Sequence, residues 1–145
     1  MAVMTGREFV SEEGFMRLPL VGCTVNRCCI DWAVTLEMQS PDGEDFVLRV
    51  GDIFTFTAVD GVEMLLRPEE DPTGLGPVLG CTRTTVKAAA ADEVGHLEVS
   101  FADGSSLRVV PSPAYEAWEL AGPRESRIVC MPGGQLAIWQ PRSDD

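Results

Sequence analysis

The chain has 145 residues and a mass of 15.7 kDa, which suits one domain spanning 1–145 and a core that needs neither metals nor disulfides. Hydrophobic residues make up 45% and charged residues 23%, and these ordinary globular values exclude global disorder. Eleven Lys and Arg against 23 Asp and Glu give a net charge of -12, which speaks against nucleic acid or an anionic membrane as partner, because both reward cationic faces.

The segment Met1 to Glu13 carries Arg7, Glu8, Glu12 and Glu13 without an apolar run. No secretory leader is read there, and no stretch approaches the ~18 apolar residues needed to span a bilayer. The cytoplasm is therefore the expected compartment, with flexible ends expected at 1–14 and 141–145.

From there the chain reads as short strands separated by turns. Val21, Cys23 and Val25 form a first short strand. The clearest strand runs from Cys28 to Met38, with Cys28, Ile30, Trp32, Val34, Leu36 and Met38 on one face. Asp31 falls mid-strand on the other face, directed to solvent. Ser40-Pro41-Asp42-Gly43 turns the chain into Phe46, Leu48 and Val50, after which Gly51-Asp52 interrupts as a bulge or turn. Ile53 to Val59 continues as a strand, and Asp60-Gly61 makes a tight hairpin into Val62–Arg67.

The pattern breaks between Pro68 and Gly80. Glu69-Glu70-Asp71-Pro72 is acidic and Thr73-Gly74-Leu75-Gly76-Pro77 is too glycine-rich for a long helix, so at most one short helical piece is expected near 72–80. Thr82 to Ala90 could be helix or strand by propensity, and the β-branched run at its start favours strand. Leu97–Phe101 and Leu107–Val110 flank an Asp103-Gly104 turn, Pro111 and Pro113 bracket a connection, and Tyr115–Leu120, Arg127–Met131 and Gln135–Trp139 close as a meander. About nine or ten short strands with little helix predict an all-β antiparallel sandwich, roll or barrel.

Toward the carboxyl end, Tyr115-Glu116-Ala117-Trp118-Glu119 and Cys130-Met131-Pro132-Gly133-Gly134 follow Phe101-Ala102-Asp103-Gly104-Ser105-Ser106-Leu107. This order, with the upstream Leu20-Val21-Gly22-Cys23-Thr24-Val25, resembles a family of small, functionally uncharacterised bacterial proteins found mostly in actinobacteria. The resemblance covers most of the chain from about Leu18. It implies a compact β-rich domain and transfers no catalytic residue. Some small actinobacterial proteins of this appearance are similar to immunity or accessory partners of toxin systems.

The chemistry-bearing residues are few. Cys23, Cys28, Cys29, Cys81 and Cys130 lack the paired Cys-x2-4-Cys spacing of a structural zinc site, so buried structural thiols are preferred over a metal or redox centre. His96 is the single histidine, which removes two-histidine metal sites. Pairing it with Cys29, Cys81 or Cys130 would need a third orienting group. The carboxylates cluster in turns, where they are normally solvated. Trp32 and Trp118 read as core tryptophans, whereas Trp139 lies in the last strand near an edge and Tyr115 shares its meander.

No catalytic, cofactor or metal site is expected from these residues. The reading is a non-enzymatic acidic protein that engages a basic protein partner, as an inhibitor or immunity-type protein would. Glu69, Glu70, Asp71, Asp92, Glu93, Tyr115 and Trp139 are the candidate partner-binding residues. The alternatives are a small-molecule-binding β-barrel, a Cys-based metal or redox protein, and a homodimer through an edge strand such as Gln135–Trp139.

Overall fold

A computed structural model describes residues 7–143 and is all-β apart from one 3-10 helix. Thirteen strands occur among these residues: β1 (Val10–Glu12), β2 (Phe15–Arg17), β3 (Thr24–Ile30), β4 (Val34–Gln39), β5 (Asp45–Val50), β6 (Phe54–Thr57), β7 (Glu63–Leu66), β8 (Val86–Asp92), β9 (Leu97–Phe101), β10 (Ser106–Val109), β11 (Trp118–Ala121), β12 (Arg127–Cys130) and β13 (Leu136–Trp139). The 3-10 helix, Pro72–Cys81, joins β7 to β8.

The strands form two antiparallel sheets rather than a closed barrel. One has seven strands in the order β1-β2-β8-β9-β10-β6-β7, and the other has six in the order β13-β12-β11-β5-β4-β3. Alternating residues of both turn inward, so Leu36, Leu48, Leu120 and Ile128 of one sheet share a single core with Phe54, Phe56, Val99 and Leu107 of the other. Of the sandwich, roll and barrel expected, the closed barrel is not the form adopted, because the strands make two separate sheets that each keep their edges.

Three expected elements are drawn differently by the structure. The Cys28–Met38 strand is a hairpin, with β3 and β4 paired through Ile30↔Val34 around an Asp31-Trp32-Ala33 turn. Asp31 makes the turn, because its Oδ1 accepts from the Ala33 amide at 2.8 Å. A bulge at Asn26 lets both Val25 and Cys28 face inward despite their odd spacing. Gly51-Asp52 is a crossover, since β5 and β6 belong to different sheets.

The third concerns the amino end. The flexible ends expected at 1–14 and 141–145 include residues 1–6 and 144–145, which lie outside the described residues; residues 7–14 lead into a strand pair. β1 and β2 pair around a turn with Gly14 at φ +76°, and Phe9 is buried. The Gln140 side chain accepts from the Phe9 amide at 3.0 Å and donates to the Phe9 carbonyl at 2.9 Å, tying the two chain ends together. Arg142 is held as well, its amide donating to the Arg124 carbonyl at 2.8 Å.

The sandwich has two unlike ends. At one, the backbone laces the sheets together: Arg83 N–H donates to the Val25 carbonyl, Val25 N–H to Thr84, and Val86 N–H to Cys23. The 3-10 helix packs against β3 and buries Leu75, Val78 and Cys81, covering a strand edge that would otherwise be open. The other end carries the β3–β4 turn, the Gly51 crossover, the segment after β7 and the loop before β11. These four segments frame a cleft.

Candidate functional site in the cleft at the open end

The cleft has a volume of about 760 Å³. Its floor is the buried Trp118, and Trp32 and Tyr115 stand on its walls with Arg49, Asp52, Arg67, Glu69, Glu70, Glu116 and Glu119. Register explains why they meet. Val50 of β5 pairs with both Val34 of β4 and Trp118 of β11, which brings the Trp32 turn and the Tyr115 loop to the same end of the sheet. Phe54 pairs with Leu66, so Arg67 to Glu70 emerge beside the Gly51 crossover.

Each wall is shaped by local chemistry. The Asp31 turn holds Trp32 at its apex, 73% exposed. Tyr115, 69% exposed, is presented by the buried Ser112, whose Oγ accepts from the Ala114 and Tyr115 amides at 3.1 Å each. These are the two most exposed large apolar side chains among the described residues, and both line this one cleft.

The floor is anchored from the opposite sheet. Trp118 Nε1 donates to the Gly95 carbonyl at 2.9 Å, and the Cys130 thiol approaches the same oxygen at 3.4 Å. Gly95 (φ +94°) and Gly134 (φ +98°) interlock, and a Cβ on Gly134 would lie 2.1 Å from the Val94 carbonyl oxygen. The β8–β9 turn and the β12–β13 turn thus close the sandwich beneath the indole.

Charge in the cleft is unbalanced, with five carboxylates against two guanidinium groups. Arg67 pairs with Glu70 at 3.6 Å, Arg49 lies 3.9 Å from Asp31, and Glu119 pairs with Arg127. Glu69 and Glu116 have no ion-pair partner among the described residues, although Glu116 helps Glu119 hold the Arg127 guanidinium above its usual pKa.

The sequence-derived candidates divide in three. Glu69, Glu70 and Tyr115 are brought together in the cleft. Asp71 and Asp92 are engaged in their own turns. Asp71 caps the 3-10 helix by accepting from the Gly74 amide at 3.2 Å and the Thr73 hydroxyl at 2.9 Å. Asp92 accepts from the amides of Val94 and His96 and lies 2.7 Å from His96 Nδ1. Burial pushes the Asp92 carboxyl up, but these His96 and backbone hydrogen bonds outweigh it and hold the group below its ordinary value. Glu93 is exposed on the β8–β9 turn. Trp139, 54% exposed, pairs with Arg127 at the far end of its sheet, away from Tyr115 and Trp118.

Sequence reasoning placed Trp32 in the core and passed over Arg49, Arg67 and Glu116. The usable signal was length: an eleven-residue strand is about twice the usual strand, and Asp31 at its middle is a turn former.

The thiols have little nucleophilic character where they are buried. Burial, reinforced by nearby negative groups, pushes Cys23 and Cys28 up to about 11 and Cys81 up to about 12. Cys130 is shifted the same way by burial. Cys29 is half-buried, 3.5 Å from Glu37. Among the described residues no three His, Cys, Asp or Glu side chains gather as metal ligands would, and no helix is long and apolar enough to cross a membrane.

Residues 16–140 match a family of unknown function, DUF6188, and the chain belongs to that family. This fits the resemblance to an uncharacterised family read from the carboxyl-terminal residues. No curated protein and no solved structure matches the chain.

Proposed function

We propose that this member of a family of unknown function is a non-enzymatic binding protein that engages a basic protein partner through the open-end cleft, as an inhibitor or immunity-type protein would. One observation carries the reading: the two most exposed large apolar side chains, Trp32 and Tyr115, flank a single cleft whose carboxylates outnumber its guanidinium groups. Aromatic anchors dominate interfaces because they bury much area with little loss of rotamer freedom. The overall charge of -12 adds long-range attraction to a cationic partner and raises the encounter rate.

Native mass spectrometry of the protein purified gently from its own cells tests this. The expected result is a bound protein of high pI that is absent when Trp32 and Tyr115 are both changed to Ala and retained in Trp139→Ala. A small-molecule or metal increment in place of a protein, or a partner indifferent to the double change, would overturn the reading.

Self-association is a second reading, favoured by Ile138 and Trp139 exposed on the outermost strand β13. A dimer formed there would leave the cleft open, because Trp139 lies at the opposite end of its sheet. A doubled mass lost in Trp139→Ala would support it.

A further inference from the structure

Resting on the proposed function, we infer that the group received by the cleft is a single cationic side chain, lysine or arginine, projecting from the partner's surface. It would lie between the faces of Trp32 and Tyr115 with its charge beside Glu69 and Glu116.

Three features of the cleft select this chemistry. First, Trp and Tyr faces are electron-rich and attract an ammonium or guanidinium group, whereas they offer an anion nothing. Second, the carboxylates are not equally available. Glu70 is engaged by Arg67 and Glu119 by Arg127, while Asp52 accepts from the neighbouring Ile53 amide at 2.7 Å. Glu69 and Glu116, both exposed on the rim, make no ion pair among the described residues and are the ones left for an incoming charge, Glu116 adding only at longer range to the field at Arg127. Third, about 760 Å³ exceeds one side chain, so a loop can follow its anchor into the cleft. An anionic ligand would have to displace the Arg67–Glu70 pair and approach five carboxylates.

The test uses the full chain and three blocked hexapeptides that differ only at one central residue: lysine, arginine or uncharged glutamine. Binding is read from tryptophan fluorescence and confirmed by calorimetry. The lysine and arginine peptides should bind about tenfold more tightly than the glutamine peptide, and raising salt should weaken only the charged pair. Trp32→Ala and Tyr115→Ala should each abolish the discrimination, as should Glu69→Gln combined with Glu116→Gln. All four positions are exposed, so circular dichroism should show an intact fold.

Equal affinity for the three peptides overturns the inference, as does charge discrimination that survives the Trp32 and Tyr115 changes. Absence of saturable binding to any peptide also overturns it. Failure here is distinguishable from failure of the proposed function: a basic partner retained by the wild-type protein and lost from the aromatic double variant, yet indifferent to the Glu69/Glu116 change, leaves the cleft as an interface and removes the cationic anchor.

Discussion

The two ends of the sandwich solve opposite problems with different bonds. At the laced end, backbone groups around Cys23–Val25 and Arg83–Val86 satisfy one another across the sheets, and the 3-10 helix seals the β3 edge. At the open end, a tryptophan side chain makes the link between sheets, and four loops leave a cleft above it. Backbone lacing consumes polar groups and leaves nothing to offer a partner. Side-chain closure does the reverse: it fixes a floor and leaves the loops above it free to vary in chemistry.

The comparison sharpens most at the two tryptophans of the open end. Trp118→Ala should cost about 3–5 kcal/mol, through the cavity left in the core and the lost bond to Gly95, read as a lower urea midpoint. Trp32→Ala should stay within about 0.5 kcal/mol of the wild type while losing the partner. Equal stability losses would mean that Trp32 belongs to the core after all.

Next in size are the glycines. Gly134→Ala should lose about 3 kcal/mol, because its positive φ and the Val94 carbonyl both oppose a Cβ. At the laced end's Asp60-Gly61 hairpin, Gly61→Ala meets open space and should cost about 1 kcal/mol, from its positive φ alone. Thermal unfolding of both variants measures the gap, which would vanish if the Gly95–Gly134 interlock were unimportant.

The laced end should respond to alkali. Cys23 directly precedes β3, Cys28 lies in it and Cys81 ends the 3-10 helix, with folded-state pKa values raised from 9.0 to about 11, 11 and 12. Above pH 9 the unfolded chain releases these protons while the folded chain keeps them, so stability is full below 9 and falls as pH rises toward 11. Urea unfolding at three pH values tests this. Thiol labelling at neutral pH should find the fully buried Cys23, Cys81 and Cys130 protected until unfolding.

The smallest effect is expected at Asp92. Its folded carboxyl sits below the ordinary 3.8, so the folded state binds fewer protons than the unfolded one. The resulting stability is present above the ordinary value and is lost as pH falls through the folded one. Asp92→Ala should cost about 1 kcal/mol, since the side chain is partly solvated. It should also flatten the acid limb of the stability profile.

Much of this was legible in local pattern. Period-two runs such as Phe46, Leu48, Val50 and Leu97, Val99, Phe101 identify strands because a pleated chain shows alternate residues to one core. Asp60-Gly61 and Asp103-Gly104 identify hairpins because glycine enters positive φ without a steric cost. Glu69 and Glu70 were legible as solvated turn carboxylates and Tyr115 only as an aromatic of the last meander, whose loop position and exposure local pattern did not show, and nothing local said that the three share a site. Trp32 was misread because the alternation of β3 continues in phase through the turn into β4, so periodicity alone does not reveal the reversal. The burial of Phe9 was not legible locally, because it depends on contacts far along the chain, Gln140 among them.

What composition and alternation determined is the all-β antiparallel class, the turns, and an acidic surface. Those properties follow from each residue and its nearest neighbours. The sheet order, the assignment of β5 and β6 to different sheets, and the cleft were decided only by long-range pairing. Asp71 and Glu70 are adjacent in the chain, yet one is spent on a helix cap and the other faces the cleft. That division depends on which backbone amides and which distant side chains the fold brings within hydrogen-bonding reach, and no local pattern encodes it.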